Sequence, residues 1–183
     1  FAFDCIILDI TMPEMDGLEA CKQIRKTMEV PILFLSSRDE EIDRIIGFEI
    51  GGDDYVTKPV SPRELVARLQ AILKRMSPKP AANAKPLQKG ALRVDAERYT
   101  AFWNDTAIAL TATEFMLLAT LLRHPEKVYN RDELMDGAYD GITVSDRTID
   151  SHIRRIRQKC ASAGAEHIIE TMHGVGYKLS SCQ

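Results

Sequence analysis

Three polar residues in the N-terminal half of the sequence, Asp9, Ser36 and Lys58, each stand where a short apolar run stops. Asp9 closes Cys5-Ile6-Ile7-Leu8, Ser36 closes Pro31-Ile32-Leu33-Phe34-Leu35, and Lys58 follows Tyr55-Val56 just before Pro59. A carboxylate, a hydroxyl and an ammonium together suit phosphoryl transfer to the carboxylate. Asp9 would attack, Lys58 would offset charge on the phosphoryl oxygens, and Ser36 would hydrogen-bond one of them. Taken singly, each has a plainer account: Asp9 caps a turn before Pro13, Ser36 caps the helix after it, and Lys58 is a solvated loop lysine. They are 27 and 22 residues apart, so they form a site only if the fold brings three strand ends to one edge.

The flanking pattern predicts such a fold. Apolar runs alternate with amphipathic stretches, giving helices from about Gly17, from about Asp39 and from Ser61 in a β-α-β-α-β-α order. Short uncharged runs of this kind are parallel strands buried on both faces, and chemistry gathers outside their carboxyl ends. Ser61-Pro62-Arg63-Glu64 is a capping box with proline at the first helical position.

Ser77-Pro78-Lys79-Pro80-Ala81-Ala82-Asn83-Ala84-Lys85-Pro86 has three prolines and no large apolar residue, and reads as a linker. It divides the chain into residues 1–76, a linker over 77–90, and residues 91–183. After it come strand-like segments around Leu92-Arg93-Val94, Tyr99-Thr100-Ala101-Phe102-Trp103 and Ile108-Ala109-Leu110. Two capping boxes, Thr111-Ala112-Thr113-Glu114 and Asn130-Arg131-Asp132-Glu133, head apolar-periodic helices. A third helix runs from about Asp146 to Ser162, and Ile168 to Leu179 reads as a β-hairpin around a glycine-containing turn.

On the third helix Ile149, Ile153, Ile156 and Cys160 stack into one stripe, with Arg147, Ser151, Arg154 and Gln158 opposite and Arg155 on their flank. Arg147, Arg154, Arg155, Arg157 and Lys159 give five cations against the single acidic Asp150. A charge run alone is usually a solvated face. Two capped helices before it and a hairpin after it are instead the order of a winged helix-turn-helix, whose last helix enters the DNA major groove. Arginine's planar fork suits a guanine edge or a phosphate.

Composition agrees with two soluble units. The net charge of -3 hides 10 basic and 14 acidic residues in 1–76 against 14 and 13 in 77–183, and all four histidines lie in the second part. No run approaches the ~18 to 20 apolar residues of a membrane span, and no basic segment followed by an apolar core opens the sequence, so a cytoplasmic protein without membrane contact is expected. Cys5, Cys21, Cys160 and Cys182 are too scattered for a zinc site or a disulfide scaffold.

Leu8-Asp9-Ile10-Thr11-Met12-Pro13-Glu14-Met15-Asp16-Gly17, Leu35-Ser36-Ser37-Arg38 and Gly52-Asp53-Asp54-Tyr55-Val56-Thr57-Lys58-Pro59 closely resemble the motifs of two-component response-regulator receivers. Leu110-Thr111-Ala112-Thr113-Glu114-Phe115, Asp146 through Arg157 and Gly174-Val175-Gly176-Tyr177 resemble the effector domain of the OmpR/PhoB family. The resemblance implies an α/β fold, a CheY-like parallel (βα) sheet, followed by an α+β winged helix. It implies a phosphorylation-controlled, sequence-specific transcription regulator, not an enzyme, downstream of a sensor histidine kinase and acting with RNA polymerase.

By that resemblance Asp9 is the phosphoacceptor, Ser36 the switch hydroxyl, Tyr55 the switch aromatic and Lys58 the phosphate-contacting lysine, whose bond to Pro59 is usually cis. Asp9 and the backbone carbonyl of Thr11 would hold Mg2+. Family receivers open with a strand ending in an acidic pair, so this sequence is expected to start partway into a receiver, with an incomplete magnesium site. That leaves a phosphorylation-independent regulator, its receiver serving as a dimerisation module, as the rival reading. Haloacid-dehalogenase-type phosphatases also use an aspartyl nucleophile with downstream Ser and Lys, but place a second Asp two positions on, where Thr11 stands here.

In the effector part, the resemblance directs Arg147, Thr148 and His152 to phosphates and Arg154 and Arg155 to bases. Ser151 and Arg157 share that DNA-binding surface, Tyr177 packs at the wing, and His173 stands at the wing tip where some relatives carry an arginine. Relatives dimerise through receiver charges, for which Arg44, Asp53, Asp54, Glu64 and Arg68 are the candidates, with Asp54–Arg68 and Arg44–Glu64 pairing across a two-fold axis. A flexible linker would then set two winged helices on a direct repeat roughly 10 to 11 base pairs apart.

Overall fold

The computed structural model describes residues 3–37, 41–76, 86–139 and 146–182. The chain separates into two units between Lys74 and Arg75.

The first unit is a three-stranded parallel sheet, β1 (Ile6–Asp9), β2 (Ile32–Ser36) and β3 (Asp54–Thr57), in the order β1-β2-β3. Helices α1 (Gly17–Ile24), α2 (Glu41–Glu49) and α3 (Pro62–Met76) alternate with the strands. Alternate residues of β2 face opposite ways. Ile32 and Phe34 join Leu8, Cys21, Phe48 and Tyr55, whereas Leu33 joins Val56 and Ile72. Both faces are therefore covered, which is why the strands carry almost no charge. Asp16 caps α1 by accepting from Glu19 N, and Ser61 caps α3 by accepting from Glu64 N at 3.1 Å.

The second unit opens with a four-stranded antiparallel sheet of β4 (Leu87–Lys89), β5 (Leu92–Asp95), β6 (Thr100–Trp103) and β7 (Thr106–Ile108). The sequence reading gave residues 77–90 to the linker. Leu87–Lys89 instead pairs with β5, tightly turned through Gly90 at φ +56°. Its alternation is too short to register as a strand, and its partner supplies the order. Residues 77–85 lie outside the described residues.

Helices α4 (Ala112–Arg123), α5 (Arg131–Tyr139) and α6 (Asp146–Ser162) follow, then the hairpin of β8 (Ile169–Met172) and β9 (Gly176–Leu179). Thr111 and Glu114 close a reciprocal capping box at α4, and Asn130 and Glu133 do the same at α5. One core joins Leu92, Phe115, Leu118, Leu134, Ile149, Ile153, Ile156 and Leu179, so the isoleucine stripe of α6 faces inward. β9 also pairs with Tyr129 through Tyr177, and a side chain at Gly176 would collide with the Tyr129 carbonyl.

Candidate functional site

The parallel register sets Asp9 beside Leu35 and Ser36 beside Thr57, so three strand ends meet at one edge of the first sheet. Beyond them the chain stays zipped, with Ile10 N donating to Leu35 O at 3.0 Å and Lys58 N to Ser36 O at 2.7 Å. Asp9 and Lys58, 49 residues apart, form a salt bridge there. Asp9 also accepts from the backbone N–H of Thr11 at 3.0 Å. The Lys58 hydrogen bond, aided by the Thr11 N–H, holds the Asp9 carboxyl below its ordinary range against the opposing effect of burial.

The site is open but anchored. The Asp9 and Lys58 side chains are 34% and 36% exposed, whereas Ser36 is fully buried. Gly17, at the start of α1, packs against the Asp9 carbonyl so closely that no β-carbon would fit. Tyr55 is buried with its ring tilted against Phe34, centroids 6.3 Å apart, and the Lys58–Pro59 peptide is cis. An ionised carboxylate and the main-chain carbonyl of exposed Thr11, two residues on, are hard oxygen donors of the kind Mg2+ takes, since it binds through few protein ligands and keeps several waters. No group of three His, Cys, Asp or Glu side chains capable of holding a metal occurs among the described residues.

The acidic pair Asp53-Asp54 lies at the opposite end of the sheet, and its placement corrects the reading of both as surface interface charges. Asp53 is fully buried and accepts from Arg25 Nη2 at 3.1 Å and from Ile32 N at 3.0 Å. Arg25, 6% exposed, also donates to the carbonyls of Gly51 and Val30, stitching two loops together. Asp54 is fully buried as well and meets Arg68 of the same chain at 3.3 Å, while Arg68 also holds Glu64 at 3.0 Å. Asp54–Arg68 is thus satisfied within one chain. Asp53 reads as a surface charge because its partner lies 28 residues before it, whereas Asp54 is rightly matched with Arg68 but within one chain, not across two. The Arg44 side chain lies outside the described residues.

On α6, Arg154 and Gln158 are exposed, opposite the isoleucine stripe. The remaining described cations point elsewhere. Arg155 Nε donates to Glu114 Oε1 and Lys159 Nζ to Glu114 Oε2, both at 2.8 Å, and Glu114 is fully buried. Burial would raise the Glu114 pKa, but the Lys159 ammonium and Arg155 guanidinium outweigh it and hold the carboxyl below its ordinary value. Arg155, expected to read bases, is therefore bound to the core in this structure.

On the other flank Arg157 donates to Ile169 O at 2.8 Å and to Thr171 Oγ1 at 2.7 Å. The Tyr177 hydroxyl donates to Asp150 Oδ1 at 2.7 Å, and Arg131 clamps both oxygens of Asp150. Arg131 and Arg157 both lie over the Tyr177 ring. Tyr177 is buried, and the hairpin is tied to α6 through it.

Ser151 and His152, expected on the DNA face, are 5% and 1% exposed. Both α4 and α5 pack on α6, so its buried arc is wider than its apolar stripe. His173 is exposed in the turn of the hairpin, flanked by exposed Met172 and Val175. The side chains of Arg147 and Thr148 lie outside the described residues. Glu114 was legible only as a helix cap, although an acidic residue heading so apolar a helix, with Arg155 and Lys159 four apart on one helix flank, was the available signal.

A family profile described as response regulator receiver domain matches residues 1–70, and one described as transcriptional regulatory protein, C terminal, matches residues 105–179. The chain is 44% identical to the transcriptional regulatory protein BaeR of Escherichia coli O6:H1 over 177 residues, covering 96% of this chain and 73% of that one. It is 37% identical over 182 residues to the phosphate regulon transcriptional regulatory protein PhoB of Klebsiella pneumoniae, covering 97% and 79%. A solved structure of a RitR mutant superposes with a TM-score of 0.68 at 28% identity, over 97% of this chain and 79% of the other.

Proposed function

The chain belongs to the OmpR/PhoB family of response regulators, and on that premise we propose that phosphorylation of Asp9 controls DNA reading by α6 and the β8–β9 hairpin. The observation that carries the proposal is the salt bridge between Asp9 and Lys58 at one sheet edge. It sets an ionised carboxylate beside the cation that would offset charge on an incoming phosphoryl group.

Asp9 attacks the phosphorus of a phosphohistidine on a sensor kinase, and the imidazole leaves. As charge develops on the phosphoryl oxygens, Lys58 turns from the carboxylate to one of them, and the Ser36 hydroxyl, buried in this structure, turns outward to hydrogen-bond another. Asp9 and the Thr11 carbonyl would hold Mg2+, which neutralises phosphoryl charge when bound. Tyr55 stands on β3 two residues before Thr57, the partner of Ser36, and its ring packs against Phe34, which would couple the site to the core of the first unit.

In the second unit Arg154 and Gln158 face the major groove, with Arg147 and Thr148 at the start of the same helix directed to phosphates. His173 at the hairpin tip approaches the adjacent minor groove. Arg157 and Tyr177 hold the hairpin to α6. Two chains associate through the α2–β3–α3 face, whose elements carry the exposed apolar residues Ile46 on α2 and Val66 on α3, with Glu64 and Arg68 also on α3. They bind a direct repeat and act with RNA polymerase. No helix among the described residues is long and apolar enough to cross a membrane, in keeping with a regulator that meets DNA in the cytoplasm.

Intact-mass measurement tests the acceptor assignment. With a small phosphodonor and magnesium, the protein gains one acid-stable, base-labile phosphoryl group, and Asp9→Asn gains none. Labelling that persists in Asp9→Asn contradicts it.

A further inference from the structure

Glu114 uses its whole carboxylate on three donors. Oε1 takes Arg155 Nε, while Oε2 takes Lys159 Nζ at 2.8 Å and the Thr111 N–H at 2.9 Å. The carboxylate is fully buried, and the two cationic side chains are only 15% and 20% exposed. Arg155 and Lys159 are one helical turn apart, so one acidic residue on α4 grips a whole flank of α6. On the helical wheel that flank lies next to the line of Arg154 and Gln158, which is exposed.

We propose that Glu114 is a specificity-determining residue: by engaging Arg155 and Lys159 in the interior it withholds two cations of the recognition helix from the phosphate backbone. The inference rests on the reading of α6 as the DNA-contacting helix. Phosphate contacts add affinity for every sequence, whereas base contacts discriminate. A helix that turned all five of its cations to the duplex would bind random DNA tightly and lose contrast with its operator. Holding two of them on Glu114 suppresses the indiscriminate part and leaves Arg154 and Gln158 to read the groove. The same grip fixes α6 against α4, so discrimination and orientation come from one residue.

The test compares the full chain and its variants on a random-sequence duplex and on a duplex selected by the wild-type protein, over a salt series. In Glu114→Gln, the amide keeps one acceptor oxygen and turns N–H donors towards the other cation, which is expelled. The salt dependence on random duplex should then steepen by about one unit of slope, since each phosphate neutralised adds about 0.9. Random-duplex affinity should rise several-fold at low salt, and the ratio of selected to random binding should fall. A merely structural role would weaken binding without steepening the slope, and that result overturns the inference.

A second variant keeps the test decisive if Glu114→Gln folds poorly. Replacing a buried ion cluster entirely by apolar residues of similar volume is often neutral or stabilising. Glu114→Met with Arg155→Met and Lys159→Met should therefore fold and keep the wild-type slope on random duplex. A flatter slope would mean that these cations contact phosphates in the wild type, which also overturns the inference. If the wild type binds no duplex at all, the DNA-reading premise falls and takes the inference with it. Wild-type binding with identical slopes in every variant removes the inference alone.

Discussion

The Tyr177 hydroxyl donates to Asp150 Oδ1 at 2.7 Å, joining β9 to α6 across 27 residues of sequence. Arg131 of α5 completes the junction by binding both Asp150 oxygens. Three elements of the DNA-reading unit thus converge on one carboxylate. Tyr177→Phe removes a hydrogen bond to a charged but partly exposed acceptor and should cost about 1 kcal/mol in urea unfolding. An unchanged unfolding midpoint would show that the junction does not hold the hairpin.

At the opposite end of the receiver sheet, Arg25→Ala should cost about 3 to 5 kcal/mol, because it strands the Asp53 carboxylate in the interior without its partner. Arg25→Lys keeps the charge but loses the fork that reaches the Gly51 and Val30 carbonyls, so it should fall between. Chemical denaturation of the two variants checks the order, and equal stability of both with the wild type contradicts the clamp.

Acid should weaken the second unit through Glu114. Its folded pKa lies below its ordinary value of 4.5, so its stabilising contribution is fully present above that value and is lost as pH falls below it towards the folded pKa. Glu114→Gln should flatten this acid limb in a series of unfolding midpoints against pH. A limb of unchanged steepness would locate the acid sensitivity elsewhere.

Self-association offers a further test, in which folding and dimerisation are separable. Arg68→Glu should lower the unfolding midpoint of the receiver unit even at high dilution, because it leaves buried Asp54 beside a like charge. Val66→Asp, at a side chain 51% exposed, should leave stability within about 0.5 kcal/mol while weakening the phosphorylated dimer. Sedimentation decides it: a dimer constant unaffected by Val66→Asp rules out this face.

How much of this was legible follows a physical line. Strand ends, caps and the two-part architecture are local. Asp9, Ser36 and Lys58 are found because each ends an apolar run, and the Thr111, Asn130 and Ser61 caps because their partners are three residues away. Side chains whose roles depend on a partner far along the chain were not legible. Asp53 needs Arg25, Asp54 needs Arg68, and Arg155 needs Glu114, 41 residues earlier. Asp53 and Arg155 read as surface groups until the fold supplied their opposites, and Asp54 was matched with Arg68 but across two chains instead of within one. Ser151 and His152 fail for a related reason: a helix wheel counts one packing partner, and α6 has more.

The central claim, that the state of Asp9 governs the DNA-reading unit, is tested most directly by duplex affinity measured with and without a phosphodonor and magnesium. For the wild type, affinity for a selected direct-repeat duplex should rise on phosphorylation by about tenfold, within the usual range for coupling between sites. Asp9→Asn should show no rise. An equal rise in Asp9→Asn, or unchanged affinity in wild-type protein that intact mass shows to be phosphorylated, would contradict the account.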